Sequence, residues 1–204
     1  VHIQFKRDDS LFPSSLRIVV YVLTLLTIVQ YLVLSLVLTG KGSMSKGVRE
    51  SRLSFRPATY EDCLDLAPRL RSEDQEEVWV ANEWLPEEAL VESWGNTKFP
   101  WAGIVDGQVQ FIFGIGKTQR PTEGIPWLLG SDVIKEISTE FALKSRPVWD
   151  QVSMGYTYFH NCVWAKNTVH IRWLKWLGFE FAEYPHPLGE SRELFYHFTK
   201  HQGT

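Results

Sequence analysis

A chain of 204 residues, 44% hydrophobic and 14% aromatic, has room for one ordinary globular domain and an appendage. Its net charge of −3 carries no basic footprint, which argues against a nucleic-acid partner. The two cysteines, Cys63 and Cys162, are far apart and match no metal or redox spacing, so they read as reduced, buried thiols with no metal site.

Residues 1–17 form a short N-terminal tail. Ile18 to Leu38 then runs without a charge, interrupted only by Thr24, Thr27, Gln30 and Ser35. That length spans a bilayer core, and it exceeds a signal-peptide apolar region. It predicts a single transmembrane helix over 18–38. Lys6, Arg7 and Arg17 precede it, and Lys41, Lys46, Arg49 and Arg52 follow, which leans toward a cytoplasmic C-terminal domain. A competing reading starts the product at Met44, leaving the upstream stretch as an extended reading frame. Residues 39–51, rich in Gly and Ser, read as a flexible linker. The folded domain is then 52–204.

Leu53 to Thr59 predicts a first strand. Thr59-x-x-Asp62 is a capping-box-like start for a helix carrying Leu64, Ala67 and Leu70, which Pro68 should distort. Asp74–Asn82 and Pro86–Trp94 predict two helical pieces, with Pro86 in a first turn and Glu87 and Glu88 at the positive dipole end. The acidic run Glu73–Glu77 reads as a solvated face, with a cationic-substrate site as the sharper option. Trp101–Val105 and Val109–Ile115 predict strands joined by an Asp106-Gly107 hairpin turn. Gly114-Ile-Gly-Lys117 lacks the remaining phosphate-loop residues, and its glycines mark a bulge or a close backbone approach. Pro126–Gly130 predicts the next strand. Ser131 or Asp132 caps the helix after it, whose stripe is Val133, Ile134, Ile137 and Phe141 and which Pro147 interrupts or restarts.

Tyr158–Ala165 alternates as a strand. A short helix follows, with Thr168 available as its cap, Ile171, Leu174 and Leu177 at helical spacing, and Gly178 at its end. Phe179–Tyr184 and Glu193–Thr199 predict a closing antiparallel pair, with turn residues over Pro185–Glu190.

Asn167, eleven residues before Gly178-Phe179, with Arg172, Lys175 and Leu177 between, resembles motif B of the GNAT acyltransferase superfamily. Arg56-Pro-Ala-Thr-x-x-Asp62 resembles the opening of many GNAT domains. The wording Asn167-Thr-Val-His-Ile-Arg-Trp-Leu-Lys175 is similar to the small GNAT-like internal virion or morphogenesis proteins of short-tailed phages. The resemblance implies an α/β domain with a GNAT-like mixed, mostly antiparallel sheet flanked by helices, splayed near Gly130 and Ala165. It implies acetyl-CoA as cofactor, held beside Asn167 and by backbone N–H groups after the Gly130 strand, with Gly130, Ser131, Asp132, Asn167 and His170 converging on one cleft.

The chain departs from the family pattern at His170, where Ala is frequent, and at Leu174, where the family often has a Tyr acid. The junction Gly130-Ser-Asp-Val-Ile-Lys135 keeps one Gly of the pyrophosphate loop, and Asp132 would repel that anion. Glu123, Asp132 and Glu136 are candidate bases by position, and Tyr156, Tyr158 and Tyr184 candidate acids; none has a diagnostic spacing. The departures point to a degraded acyl-CoA site, and the phage resemblance implies a GNAT-fold phage protein, located in a virion or the host cytoplasm and partnered by other phage structural proteins, or held in the membrane if 18–38 is present. The alternatives are an active acetyl-CoA-dependent N-acyltransferase acting on an amine and a membrane-tethered binding module.

Overall fold

The computed structural model describes residues 51–202. The expected transmembrane stretch, Ile18–Leu38, lies outside them. Among the described residues no helix is long and apolar enough to cross a membrane.

Strand β1 (Leu53–Pro57) buries Leu53 and Phe55. Thr59 then starts α1 (Tyr60–Leu66) with a reciprocal box: its hydroxyl accepts from the Asp62 N–H at 3.3 Å, and the Asp62 carboxylate accepts from the Thr59 N–H at 2.8 Å. Pro68 sits in the single 3-10 turn, Ala67–Arg69, that ends this helix. Helices α2 (Ser72–Asn82) and α3 (Pro86–Gly95) follow. The hairpin of β2 (Trp101–Val105) and β3 (Gln108–Lys117) turns through Asp106 and Gly107, both at positive φ, as a tight two-residue connection requires. The Gly114–Lys117 stretch lies inside β3. A Cβ on Gly114 would come within 2.6 Å of the Thr97 methyl carbon, so the glycine serves close approach.

Next come β4 (Glu123–Gly130), the short α4 (Val133–Glu136), α5 (Ser138–Val152), β5 (Tyr158–Trp164), α6 (Thr168–Trp176), β6 (Glu180–Phe181), β7 (His186–Leu188) and β8 (Glu193–His201). The eight-stranded sheet runs β1-β2-β3-β4-β5-β8-β6, with β7 also on β8. Every pair is antiparallel except β4 with β5, which are parallel and matched at Glu123–Tyr158 and Gly124–Phe159. Past Gly124 these strands part, and the splay opens toward Gly130 and Trp164.

Two apolar clusters occupy opposite faces of the sheet. Ile112 packs with Cys63, Leu66, Leu90 and Leu129 beneath α1 and α3, whereas Ile115, three residues on, packs with Trp149, Phe159, Leu174 and Phe179 beneath α5 and α6. The odd spacing of Ile112 and Ile115 along one strand is what sends them to different faces.

Three local expectations are corrected. Pro147 lies inside α5 and does not interrupt it; the carbonyl deprived of a donor belongs to Leu143, 68% exposed, where solvent can reach. The strand expected over Phe179–Tyr184 shrinks to β6, and β7 forms within the stretch read as a turn, because both lie against β8, whose ladder recruits them. Asn167, not Thr168, caps α6, its side-chain Oδ1 accepting from the His170 N–H at 3.4 Å.

Candidate functional site

The mouth of the splay is held by a buried polar network. Its members come from the start of α2, the end of β4 and the start of α6. Asp74 is central: one carboxylate oxygen accepts from the Gly130 N–H at 2.9 Å, and the other accepts from Arg71 Nη2 at 2.6 Å and from Asn167 Nδ2 at 3.3 Å. Arg71 also donates from its backbone N–H to the Gly130 carbonyl at 3.0 Å and from Nη2 to Asn167 Oδ1 at 3.3 Å. Asp74 and Asn167 are 0% exposed and Arg71 1%. Burial is the largest influence and opposes the Arg71 charge, but the bond to Asp74 and the attraction of Asp74, Glu73 and Glu77 together outweigh it and hold the guanidinium's pKa above its usual value.

Asn167 reaches further. Its Nδ2 lies 2.5 Å from Glu77 Oε2 and 3.2 Å from His170 Nδ1. Burial, with Asp74 nearby, pushes Glu77 up to about 8, and burial pushes His170 down to about 4. Asp74, Glu77 and His170 offer ligand atoms within 4.8 Å of one another, the spacing of a metal set. The Asn167 amide nitrogen already lies 3.3, 2.5 and 3.2 Å from their facing atoms, so the set as arranged does not fit an ion.

The structure thus joins Gly130 and Asn167 through Asp74, and His170 through Asn167. It sends the other two expected site residues elsewhere. Ser131 is buried, with its hydroxyl donating to Gln110 Oε1 at 2.7 Å. Asp132 is exposed and pairs with Lys135, which also meets Glu73. Among the positional candidates for acid or base, Glu123 pairs with Arg120 at 2.6 Å, Glu136 is exposed, Tyr156 packs on Phe159, Tyr158 stacks on His160, and Tyr184 is exposed.

Five of the six backbone N–H groups from Gly130 to Lys135 donate within the chain. Gly130 gives its N–H to Asp74, Ser131 to the Gln110 carbonyl, Val133 to the Ser131 hydroxyl, Ile134 to the Ser131 carbonyl and Lys135 to the Asp132 carbonyl. A Cβ at Gly130 would lie 2.4 Å from Ile134 Cδ1 and 2.8 Å from Phe111 Cβ, so this glycine is packed on by protein and offers no open cradle.

Two concavities flank the network, and both reach His170 and Trp173. A cleft of about 280 Å³ opens beside α2 and α3, lined by Glu77, Val78, Trp84, Trp127 and Cys162. A groove of about 390 Å³ runs between α5 and α6, lined by Ile134, Phe141, Val169 and Trp176, with Lys135 and Arg172 among its walls. Across this groove Trp173 Nε1 donates to Ser145 Oγ at 3.1 Å and Trp176 Nε1 to the Ala142 carbonyl at 3.2 Å.

The acidic run read as a solvated face therefore holds the two carboxylates that matter most, Asp74 and Glu77. The available signal was their i, i+3 spacing on one helix, with Arg71 three residues before Asp74.

This architecture, with its parallel splay inside an otherwise antiparallel sheet, is the GNAT fold. The GNAT-family acetyltransferase from Streptococcus pneumoniae is similar at TM-score 0.52 and 17% identity, over 74% of this chain and 99% of that one. Ribosomal-protein-alanine N-acetyltransferase from Brucella melitensis is similar at TM-score 0.55 and 16% identity, over 72% and 99%. Ribosomal-protein-S5-alanine acetyltransferase from Vibrio fischeri is similar at TM-score 0.53 and 12% identity, over 77% and 97%. Likeness at these identities shows the fold. No family model and no curated protein sequence matches the chain.

Proposed function

We propose that this chain is a GNAT-fold structural protein, an internal virion or morphogenesis protein of a short-tailed phage, whose acyl-CoA site no longer accepts its cofactor. The observation that supports the second half is the engaged backbone: of the six N–H groups from Gly130 to Lys135, those of residues 130, 131, 133, 134 and 135 donate within the chain. The resemblance assigns the pyrophosphate to those groups, and a pyrophosphate needs donors free to meet it. The residues present do not fit acetyl-CoA in that respect. Leu174, buried in the core, supplies no proton to a departing thiolate. The phage half rests on the similarity of Asn167–Lys175 to the small virion proteins. On this reading residues 52–204 are the working domain, its partners are other phage structural proteins, and its place is the virion or the host cytoplasm. Residues 18–38, where translated, tie it to a membrane.

The open groove between α5 and α6 favours a second reading, an acetyl-CoA-dependent N-acyltransferase acting on an amine. Thermal-shift titration of the full chain separates the two, because a ligand that binds the native state raises its melting temperature. No shift with acetyl-CoA is expected. A saturable rise would replace the structural reading with the enzymatic one. Detection of the chain by mass spectrometry in purified virions tests the phage role, and its absence there would reject it.

A further inference from the structure

Buried side chains around Asp74 present more hydrogen-bond donors than Asp74 itself uses. Arg71 is 1% exposed, yet its Nε and Nη1 have no partner, and only Nη2 engages the carboxylate. The Gly130 N–H and the Asn167 amide complete the ring at 2.9 and 3.3 Å. A guanidinium, a strand-end N–H and a side-chain amide, all shielded from water, are the donors that recognise a carboxylate.

We infer that Arg71, the Gly130 N–H and the Asn167 amide form a binding pocket for a small carboxylate, and that this chain fills the pocket from within by Asp74. The pocket lies where the splayed strands diverge, so α2 is fastened to the end of β4 and the start of α6 by its own acid. The inference rests on the cofactor-free reading of the site and explains it: Arg71 Nη2, the Gly130 N–H and the Asn167 amide, which would meet an incoming anion, already meet a resident one. Two features place Asp74 as an occupant and not an incidental ion pair. Its two oxygens divide between different chain elements, Gly130 on one side and Arg71 with Asn167 on the other. The surplus Arg71 donors also leave capacity for an acceptor that is not tethered to α2.

The test removes the tethered acid and supplies a free one. Full-length Asp74→Ala should melt lower than the parent. Sodium formate should raise its melting temperature saturably, beyond the effect of sodium chloride at equal ionic strength. The parent should respond equally to the two salts, and Arg71→Met/Asp74→Ala should lose the formate response. Equal responses of Asp74→Ala to formate and chloride would overturn the pocket, as would a formate effect of the same size in the parent. If Asp74→Ala yields no folded protein, refolding with and without formate makes the same comparison. If neither condition gives folded protein, Arg71→Met/Asp74→Leu decides: a double variant melting above Arg71→Met supports the coupled donor–acid arrangement, and one melting at or below it overturns it. An acetyl-CoA arm keeps the outcomes separable. A rise with acetyl-CoA in the parent would reject the cofactor-free reading, whereas failure of formate in Asp74→Ala would reject the carboxylate pocket alone.

Discussion

At the scale of the residue, the informative groups are two that share Asn167. Glu77 faces Asn167, with Asp74, Arg71 and His170 around it, and burial raises its pKa from 4.5 to about 8. The folded state therefore holds a proton that the unfolded chain releases, so this group's contribution to stability falls as pH rises from about 4.5 to about 8. His170 has the opposite sign in effect. Its pKa falls from 6.5 to about 4, the unfolded chain binds the extra proton, and stability rises with pH across that interval. The two oppose each other below pH 6.5, and above it Glu77 acts alone. The expected result is a melting temperature that declines between pH 6.5 and 8, with the decline flattened in Glu77→Gln. Melting curves across that range check it; an unchanged slope in the variant would assign the titration to another group. The same pair shows how far a local reading reaches. The spacing of Asp74 and Glu77 is in the sequence, but a helix with Glu73, Gln75 and Glu76 beside them reads as solvated until the surface it packs on is known.

At the scale of the element, α6 is the segment in which sequence and structure agree most closely. Its end is a Schellman closure: the Phe179 N–H meets the Leu174 carbonyl at 3.0 Å, and the Gly178 N–H meets that of Lys175 at 3.0 Å. Gly178 has φ +83°, where a Cβ is strained whatever the space around it. Gly178→Ala should cost about 1–2 kcal/mol, measured by denaturant unfolding. A neutral result would mean that the turn relaxes without loss. The start of α6 was legible less precisely. Thr168 is a good capping residue by type, but Asn167 takes the role because its side chain is also the bridge to Asp74 and Glu77. Those partners lie about ninety positions away in the chain, and no local rule includes them.

At the scale of the whole molecule, the described domain and the N-terminal stretch make separate claims. If the product begins at Val1 and carries Ile18–Leu38, the chain should stay in the membrane fraction through carbonate washing. Recovery of that full chain in the soluble wash would reject the anchor. Within the domain, the strands β1 to β5, the turn at Asp106-Gly107, the capping box at Thr59 and the glycine stop at Gly178 were determined by local chemistry: which backbone angles a residue tolerates, which side chains satisfy a helix end, and which period the apolar residues keep. The tertiary structure decided the rest. It set the parting of β4 from β5 after Gly124, the recruitment of β6 and β7 by β8, and the burial of an acidic residue from α2 against Gly130 and Asn167. Each of these depends on hydrogen bonds and charges between residues distant in the chain, whose energies exist only once packing has excluded water from between them.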